Sequence, residues 1–599
     1  MRYLKKSIPE AIIFFIVLSA FIPSLFNSFV GYDDPGMFLN IEQLKTFSIE
    51  NIKWIFSHRI LNHYHPLTAF SFALDYAIWG ENLFGFHLTS VLLHCLSSSL
   101  LFMILKRMLC RFFDRPKTVI ISASIIGALF FAVNPMRVES VSWLSERKDV
   151  LCAFFYFLSL LLFFCFRESG KYKYLLLCFF SFVMGCLSKS MMASFPFVCL
   201  LLDIFIFSRL PLNFLRWLKK ENRIYLTELI PFLCIFIAVS VQVLIFPPEE
   251  SLSYPFVPSV NKVFYAFAMY PLMNIFPYNL SYIYAPVPQD IFFAFKYAVL
   301  CAVMASPFIF WGRKNRLAAF AVLFYIIALL PVCGLLNGAP SPVNDRYCYI
   351  PSVSFSIISC ALYIFAADRL GVKAASLIFG MAISLFLPAC VMQQRIWKDS
   401  YSLFSICAER QPKAAAVHYN LGTYLYMHAK DKKYAFDEFE KAVKLGQDQP
   451  GLLVNVADYY YKEQMFQEAY FLSYSAYKLR PNTAAAWKAM GKSLLAMGMH
   501  EEAEKTMIGA HNIWSKNPYF TYALAEFYIF KRDIAKAEFF AGKTLNLLDG
   551  DLDSAALSMV CGLKMLEGNK EEAEEYCRKA VQADKANKLA ETRLAELSK

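Results

Sequence analysis

Up to about residue 392 this chain repeats one pattern, in which apolar runs long enough to cross a bilayer are separated by short charged loops. Hydrocarbon offers no hydrogen-bond partners, so a spanning run has to satisfy its own backbone, which a helix does. Beyond that point the sequence turns polar and rich in Ala, Lys and Glu at helical spacing. The composition agrees: 599 residues that are 58% hydrophobic, 17% aromatic and only 18% charged are too apolar for a soluble protein of this size. The sequence therefore predicts an all-α chain. Residues 1–392 form a polytopic membrane helix bundle, 393–412 a linker, and 413–599 a soluble helical domain.

Candidate spans lie at about 8–30, 83–105, 118–134, 149–167, 172–187, 192–208, 225–246, 291–311, 317–336, 350–368 and 374–392, about eleven in all. With that count, the short loops carrying Lys106, Arg107, Arg111, Arg115, Arg167, Arg209, Arg313, Lys314, Arg316 and Arg369 fall on one side, which is then the cytoplasm. Residues 261–276 are apolar enough to cross but are bounded by Pro271 and Pro277. Counting them would move Arg313, Lys314 and Arg316 outside, so a re-entrant or interfacial helix is expected there. The formal net charge of +12 sits largely in these loops and is a mark of topology; no nucleic-acid partner is expected. The 16 cysteines mostly stand singly in apolar runs, with no metal-ligand spacing, and read as small packing residues. Residues 1–30 lack a small-residue cleavage site and read as a retained anchor.

The loops on the other side are unusual. Directly after the first run comes Gly31-Tyr32-Asp33-Asp34-Pro35-Gly36. Asp-Pro-Gly is good turn chemistry, but two carboxylates at a hydrocarbon boundary need water, a cation or donors to offset their desolvation. The same side receives Arg137, Glu139, Glu146, Arg147, Lys148 and Asp149 in one loop, Lys189 in a short turn, and Asp345-Arg346-Tyr347 before the tenth run. Each cation could pair locally, Arg137 with Glu139 or Arg346 with Asp345. As a set beside two aspartates, they suit an anionic lipid-linked substrate, whose phosphate an Arg fork can grip. His58, His63 and His65 match no standard metal spacing.

From about residue 413 a 34-residue period is visible in Ala435, Ala469, Ala503 and Ala537, with Ala573 following. Ala442, Ala476 and Ala510 repeat it, and Gly422, Ala457, Gly491 and Ala525 hold a small residue in each first helix. This is the helix-turn-helix pattern of about five tetratricopeptide repeats, which stack into a superhelix with a concave, protein-binding face.

Taken together, the motifs resemble the multispanning membrane proteins with C-terminal tetratricopeptide repeats in the GT-C glycosyltransferase class, related to protein O-mannosyltransferases, here in a bacterial form. The resemblance rests on Tyr32-Asp33-Asp34, Tyr64-His65-Pro66, Gly85-Phe86-His87, Asn134-Pro135, Ser145-Glu146-Arg147-Lys148-Asp149, Leu187-Ser188-Lys189-Ser190, Asp345-Arg346-Tyr347 and Gln394-Arg395-Ile396-Trp397. It implies transfer of a sugar from a polyprenyl-phosphate donor to an acceptor hydroxyl, most simply on a protein. Asp33 and Asp34 become the catalytic candidates; Arg137, Lys148, Lys189 and Arg346 would hold the donor phosphate; Glu139, His65, His87 and Tyr347 would support them. Metal use stays open, since two aspartates and a phosphate could share a divalent cation such as Mg or Mn. The odd span count and the loop cations place the site and the repeats on the periplasmic or luminal side, and the resemblance implies a multi-pass protein of the bacterial inner membrane, surrounded by lipid.

The chain departs from the family at His65, where arginine is frequent, at Ser90, at Asn344, and at Met273 or Asn274, where many relatives have a lysine. Three other readings remain: an enzyme modifying a lipid or surface glycan, a non-catalytic membrane-anchored scaffold, and a transporter. The last would place polar residues in mid-span, whereas here they gather at the outer edge.

Overall fold

The computed structural model describes residues 8–61, 63–213, 216–217, 219–245, 256–288, 290–312, 315–333, 341–446, 449–548, 554–584 and 587–597. Arg313 and Lys314 lie outside the described residues. The regular elements among them are all helical, as the periodicity predicts. By its contacts the chain divides into two units, Met1–Pro412 and Lys413–Lys599.

In the first unit four helices are long and apolar enough to cross a membrane: Leu83–Phe112, Leu144–Ser169, Val353–Leu370 and Val372–Ile396. These mark a membrane protein. A fifth crossing results if Lys117–Ala132 and Pro135–Ser142, bent by 54°, count as one. The remaining apolar helices, including Ile8–Ala20, Tyr172–Ser188 and Ser190–Ile206, are shorter, so length and composition among the described residues do not reach eleven spans. Leu144–Ser169 is central, with 72% of its apolar window buried, whereas Val372–Ile396 buries 17% and turns Leu377, Met381 and Leu385 outward. Small residues allow close helix approach: a Cβ on Gly127 would lie 2.9 Å from the Ser356 carbonyl oxygen, so Lys117–Ala132 and Val353–Leu370 can meet there only through glycine.

Polar residues gather at the two opposite ends of this bundle. At one end Arg107 pairs with Glu168, Arg115 with Asp368 at 2.9 Å, and Arg167 with Asp203 and Glu228. Arg209 donates to the Arg167 carbonyl at 2.6 Å, and Arg316 donates to Ser208. The cations assigned to one side by sequence thus share one edge. Twenty residues along the helix from Arg167, about 30 Å away at 1.5 Å per residue, Arg147 sits at the other edge. The helix Phe256–Ile275 has both halves tied to segments at that second edge. Asn261 donates to the carbonyls of Pro288 and Asp290 at 2.9 and 3.0 Å, and the Tyr270 hydroxyl to that of Asn344 at 3.0 Å. Residues 393–412, expected as a linker, hold the end of one helix and all of Ser400–Arg410, whose Leu403, Phe404 and Cys407 are buried in the first unit.

The second unit consists of paired helices: Ala415–His428 with Lys433–Leu445, Pro450–Lys462 with Phe466–Leu479, Ala484–Ala496 with His500–Ile513, Pro518–Phe530 with Ile534–Leu547, and Ser554–Glu567 with Lys570–Ala583. Lys588–Leu597 packs on the last pair. The periodic alanines Ala435, Ala469, Ala503, Ala537 and Ala573 are all buried, which explains the sequence period. A Cβ on Gly422 would meet the Phe439 ring at 2.7 Å, and one on Gly491 would meet Met507 at 2.7 Å. At the equivalent place in the fifth pair, Cys561 and Cys577 form a disulfide. The reading of cysteines as packing residues holds for buried Cys95, Cys178 and Cys199 and fails for this pair. A 34-residue period shows where two helices face each other, but the bond needs both cysteines at one contact, here with a Cα–Cα distance of 5.3 Å.

Candidate active site at the membrane edge

Three loops distant in sequence meet at the second edge. The first leaves the helix Ile8–Ala20 and is fastened at its base, where Ser28 N–H donates to the Lys398 carbonyl and Gly31 N–H to Ser400 Oγ, both at 2.8 Å. Asp34 then turns inward. Its Oδ2 accepts from Val30 N–H at 2.7 Å, and its Oδ1 accepts from Ser145 N–H at 2.9 Å and Ser145 Oγ at 2.5 Å. The side chain is fully enclosed, and burial raises its pKa to about 6 despite these three donors. Asp33 is half-buried beside it. Tyr32 lays its ring against Trp143 and Tyr282, with centroids 5.9 and 5.4 Å away.

The second loop owes its shape to Asn134-Pro135. Proline starts a helical turn readily, and Asn134 Oδ1 caps it by accepting from Met136 N–H at 3.1 Å. The chain bends there, forms Val138–Ser142, breaks at Trp143 in extended conformation, and restarts as Arg147–Ser169. Glu139, Glu146 and Asp149 are thereby turned into the protein and buried. The third loop, with the short turn Asp345–Cys348, brings Arg346 down onto them.

The resulting cluster sets three carboxylates against three basic side chains. Glu139 accepts from Arg346 twice, at the backbone N–H (2.8 Å) and at Nη1 (2.5 Å). Glu146 faces Arg346 Nε at 3.3 Å, Lys148 at 3.1 Å and Lys189 at 3.2 Å, while Asp149 pairs with Lys189 at 2.5 Å. Burial opposes the charge on Arg346, yet Glu139 and Glu146 hold its pKa well above the usual guanidinium range. The Tyr347 ring lies between Arg346 and Lys189, 5.0 and 5.8 Å from their charged groups. His65 is half-buried at the rim. Burial first, then His63, Lys148 and Lys189, lowers its pKa, so the imidazole is neutral at physiological pH. Its Nδ1 is enclosed without a hydrogen-bond partner.

Two expected site residues are elsewhere engaged. Arg137 is fully buried, and its guanidinium donates to the carbonyls of Cys348 (2.8 Å) and Tyr349 (3.2 Å), to Ser352 Oγ (2.8 Å) and to Asn274 Oδ1 (3.2 Å). It pairs with no carboxylate among the described residues, and the local pairing with Glu139 does not form. His87, on Leu83–Phe112, is fully buried beneath the first loop, against the backbone of Asn27 and Ser28. The local pair of Arg346 with Asp345 does not form either, since Asp345 accepts from the Tyr284 hydroxyl at 2.6 Å.

Glu146, Asp149, Ser145 and Trp143 complete the site without having been given a role in it, and Asn274, expected only as a departure from the family, accepts from Arg137. Glu146 and Asp149 were visible in the charged loop, and Ser145 opens the motif that carries the resemblance, but nothing in the sequence pointed to its bond with Asp34. Among the described residues no three His, Cys, Asp or Glu side chains converge as metal ligands.

A family model described as dolichyl-phosphate-mannose-protein mannosyltransferase matches residues 63–241. A protein O-mannosyl-transferase of Caenorhabditis elegans is 26% identical over 371 residues, covering 60% of this chain and 51% of that protein. Human protein O-mannosyl-transferase TMTC4 is 24% identical over 415 residues, covering 60% and 55%. The chain thus spans about half the length of the curated relatives it matches. A solved tetratricopeptide-repeat protein of Thermus thermophilus aligns with 31% of this chain and 99% of its own at 18% identity, with a TM-score of 0.27, too slight a likeness to bear on the fold. The resemblance read from the motifs holds: over about half of their length, the chain is similar to protein O-mannosyl-transferases.

Proposed function

We propose that this protein transfers a sugar, most simply mannose, from a polyprenyl-phosphate donor to a hydroxyl of a polypeptide at the outer edge of the membrane. The observation that carries the reading is the meeting of the Asp33-Asp34 loop, through Ser145, with the cluster of Arg346, Lys148 and Lys189. In the proposed displacement the acceptor oxygen bonds to the anomeric carbon as the bond from that carbon to the phosphate oxygen breaks. The electron pair leaves with polyprenyl phosphate, and the hydroxyl proton passes to a carboxylate.

Asp33 is that base and Asp34 its positioning partner. Asp34 has both oxygens occupied by three donors from the protein itself, so neither is turned to an incoming acceptor hydroxyl. Arg346, Lys148 and Lys189 receive the phosphate. Each now shares a carboxylate, so the phosphate competes with Glu139, Glu146 and Asp149 for their charge. Arg137, committed to carbonyls, shapes the third loop from beneath. Tyr347 and neutral His65 line the rim, and His87 supports the base of the Asp33-Asp34 loop at the backbone of Asn27 and Ser28.

The disulfide in the repeats suits an oxidising compartment, which supports placing them, and the site, in the periplasm or an equivalent lumen. The repeats would present the acceptor. Radiolabelled mannosyl-phosphoryl-polyprenol and an acceptor peptide, supplied to the reconstituted protein, test the reading. Asp33→Asn should lower transfer by about 10²–10⁴-fold, the usual contribution of a general base, with folding intact. Full activity in that variant would remove Asp33 from the mechanism. Activity that persists in excess EDTA would exclude a dissociable divalent ion.

A further inference from the structure

We propose that the inner face of the repeat unit holds a carboxylate-binding site centred on Lys492, built for an extended acidic segment of a polypeptide. The proposal rests on the reading that the repeats engage a polypeptide, and it names the chemistry they recognise.

Lys492 lies in the first helix of the third repeat, Ala484–Ala496. Its Nζ stands 4.3 Å from the ring centroid of Phe530 in the fourth repeat and 5.5 Å from that of Tyr461 in the second. First helices of successive repeats line the inner face of such a solenoid, so this ammonium sits across its middle between two aromatic rings. The carboxylates around it are taken: Asp458 pairs with Lys462 at 2.7 Å and Glu526 with Lys488 at 2.8 Å. Among the described residues Lys492 has no ion-pair partner of its own. Lys462, Lys488 and Lys492 against Asp458 and Glu526 leave one positive charge in excess, and it falls on Lys492.

Aromatic faces attract a cation but cannot accept its hydrogen bonds, so a half-buried ammonium between two rings retains donors for an incoming anion. A carboxylate would gain a charge-assisted hydrogen bond in a partly dry setting. The flanking inner residues fix the class of ligand further. Phe530 is exposed, and so are Met427 and Leu566 at the corresponding ends of the first helices in repeats one and five. Apolar contacts spread over several repeats on both sides of one cation fit an extended chain with an acidic residue at its centre. A lysine serving only to staple adjacent helices would tolerate Met, which keeps the stem and removes the charge.

The test uses the full-length protein in nanodiscs and fluorescence anisotropy. The probes are a fluorescein-labelled extended peptide of alternating Glu and Ala, and the same peptide with Gln for Glu. The acidic probe should bind at least about tenfold tighter. Lys492→Met should erase that preference, Lys492→Arg should keep it, and added salt should weaken it. Equal binding of the two probes, or an undiminished preference in Lys492→Met, would overturn the proposal. If Lys492→Met lowers the thermal midpoint of the repeats, the comparison of Lys492→Arg with Lys492→Gln at matched stability decides between recognition and packing. The assay involves no sugar transfer, so failure of the transferase reading leaves it intact, and failure here leaves Asp33-dependent transfer standing.

Discussion

Three donors and complete enclosure give Asp34 a titration that can be read in stability. Its pKa is about 6 in the folded chain against an ordinary 3.8, because burial disfavours the charged form more than Val30 and Ser145 favour it. The folded state therefore holds this proton more tightly. The stabilisation is complete below pH 3.8 and is lost as pH rises through 6, a difference of about 3 kcal/mol. Asp34→Asn, which can still accept at one oxygen, should flatten that part of a thermal-midpoint profile. Ser145→Ala removes one charge-assisted bond and should cost about 1.5–3 kcal/mol, seen as a lower midpoint at pH 7. The Glu139–Arg346 contact is more exacting, because both partners are largely buried. Glu139→Gln leaves a guanidinium half-compensated and should destabilise by about 3–5 kcal/mol; Glu139→Gln combined with Arg346→Met should recover part of it.

Among the elements, the helix pairs of the repeats show how small residues set the packing. Gly491 lets Met507 rest on its backbone, and Gly422 does the same for Phe439. Gly491→Val would force the two helices apart and should cost about 1–3 kcal/mol, with hydrogen exchange accelerating in the third repeat first. In the fifth repeat the same contact is a covalent bond spanning 16 residues. Removing it with Cys577→Ser should cost about 3 kcal/mol by the chain-entropy estimate, with exchange accelerating after Ser554. Asn134-Pro135 works in the opposite sense. It interrupts a helix so that Glu139, Glu146 and Asp149 face the cluster.

At the scale of the whole molecule, the membrane unit separates two kinds of charge cluster by the length of its central helix. The end with Arg107, Arg115, Arg167 and Arg209 is the one the loop cations assign to the cytoplasm, and the end with Asp34 and Arg346 is the proposed outer edge. If the repeats share that outer side, acid-quenched and denatured protein should show Cys561 and Cys577 blocked to thiol labelling until a reductant is added. Free thiols at both positions in freshly quenched cells would place the repeats in a reducing compartment and remove the periplasmic reading.

The apolar runs and the 34-residue period are local patterns, and they were enough to specify an all-helical chain with a membrane part and a repeat part. Backbone satisfaction in lipid and face-to-face helix packing depend on residues near one another in sequence. Asp33, Asp34, Lys148, Lys189 and Arg346 were also legible as one group, because charge at a membrane edge is conspicuous. Their partners were not. Arg346 chose Glu139 and Glu146 from a loop some two hundred residues earlier, Asp34 took Ser145, and Arg137 gave its donors to backbone carbonyls. Cys561 and Cys577 found each other across a helix pair. Such choices depend on which buried groups the helices bring within about 3 Å, because each enclosed charge or donor has to be satisfied by whatever the packing places beside it. That distance is set by the tertiary structure alone.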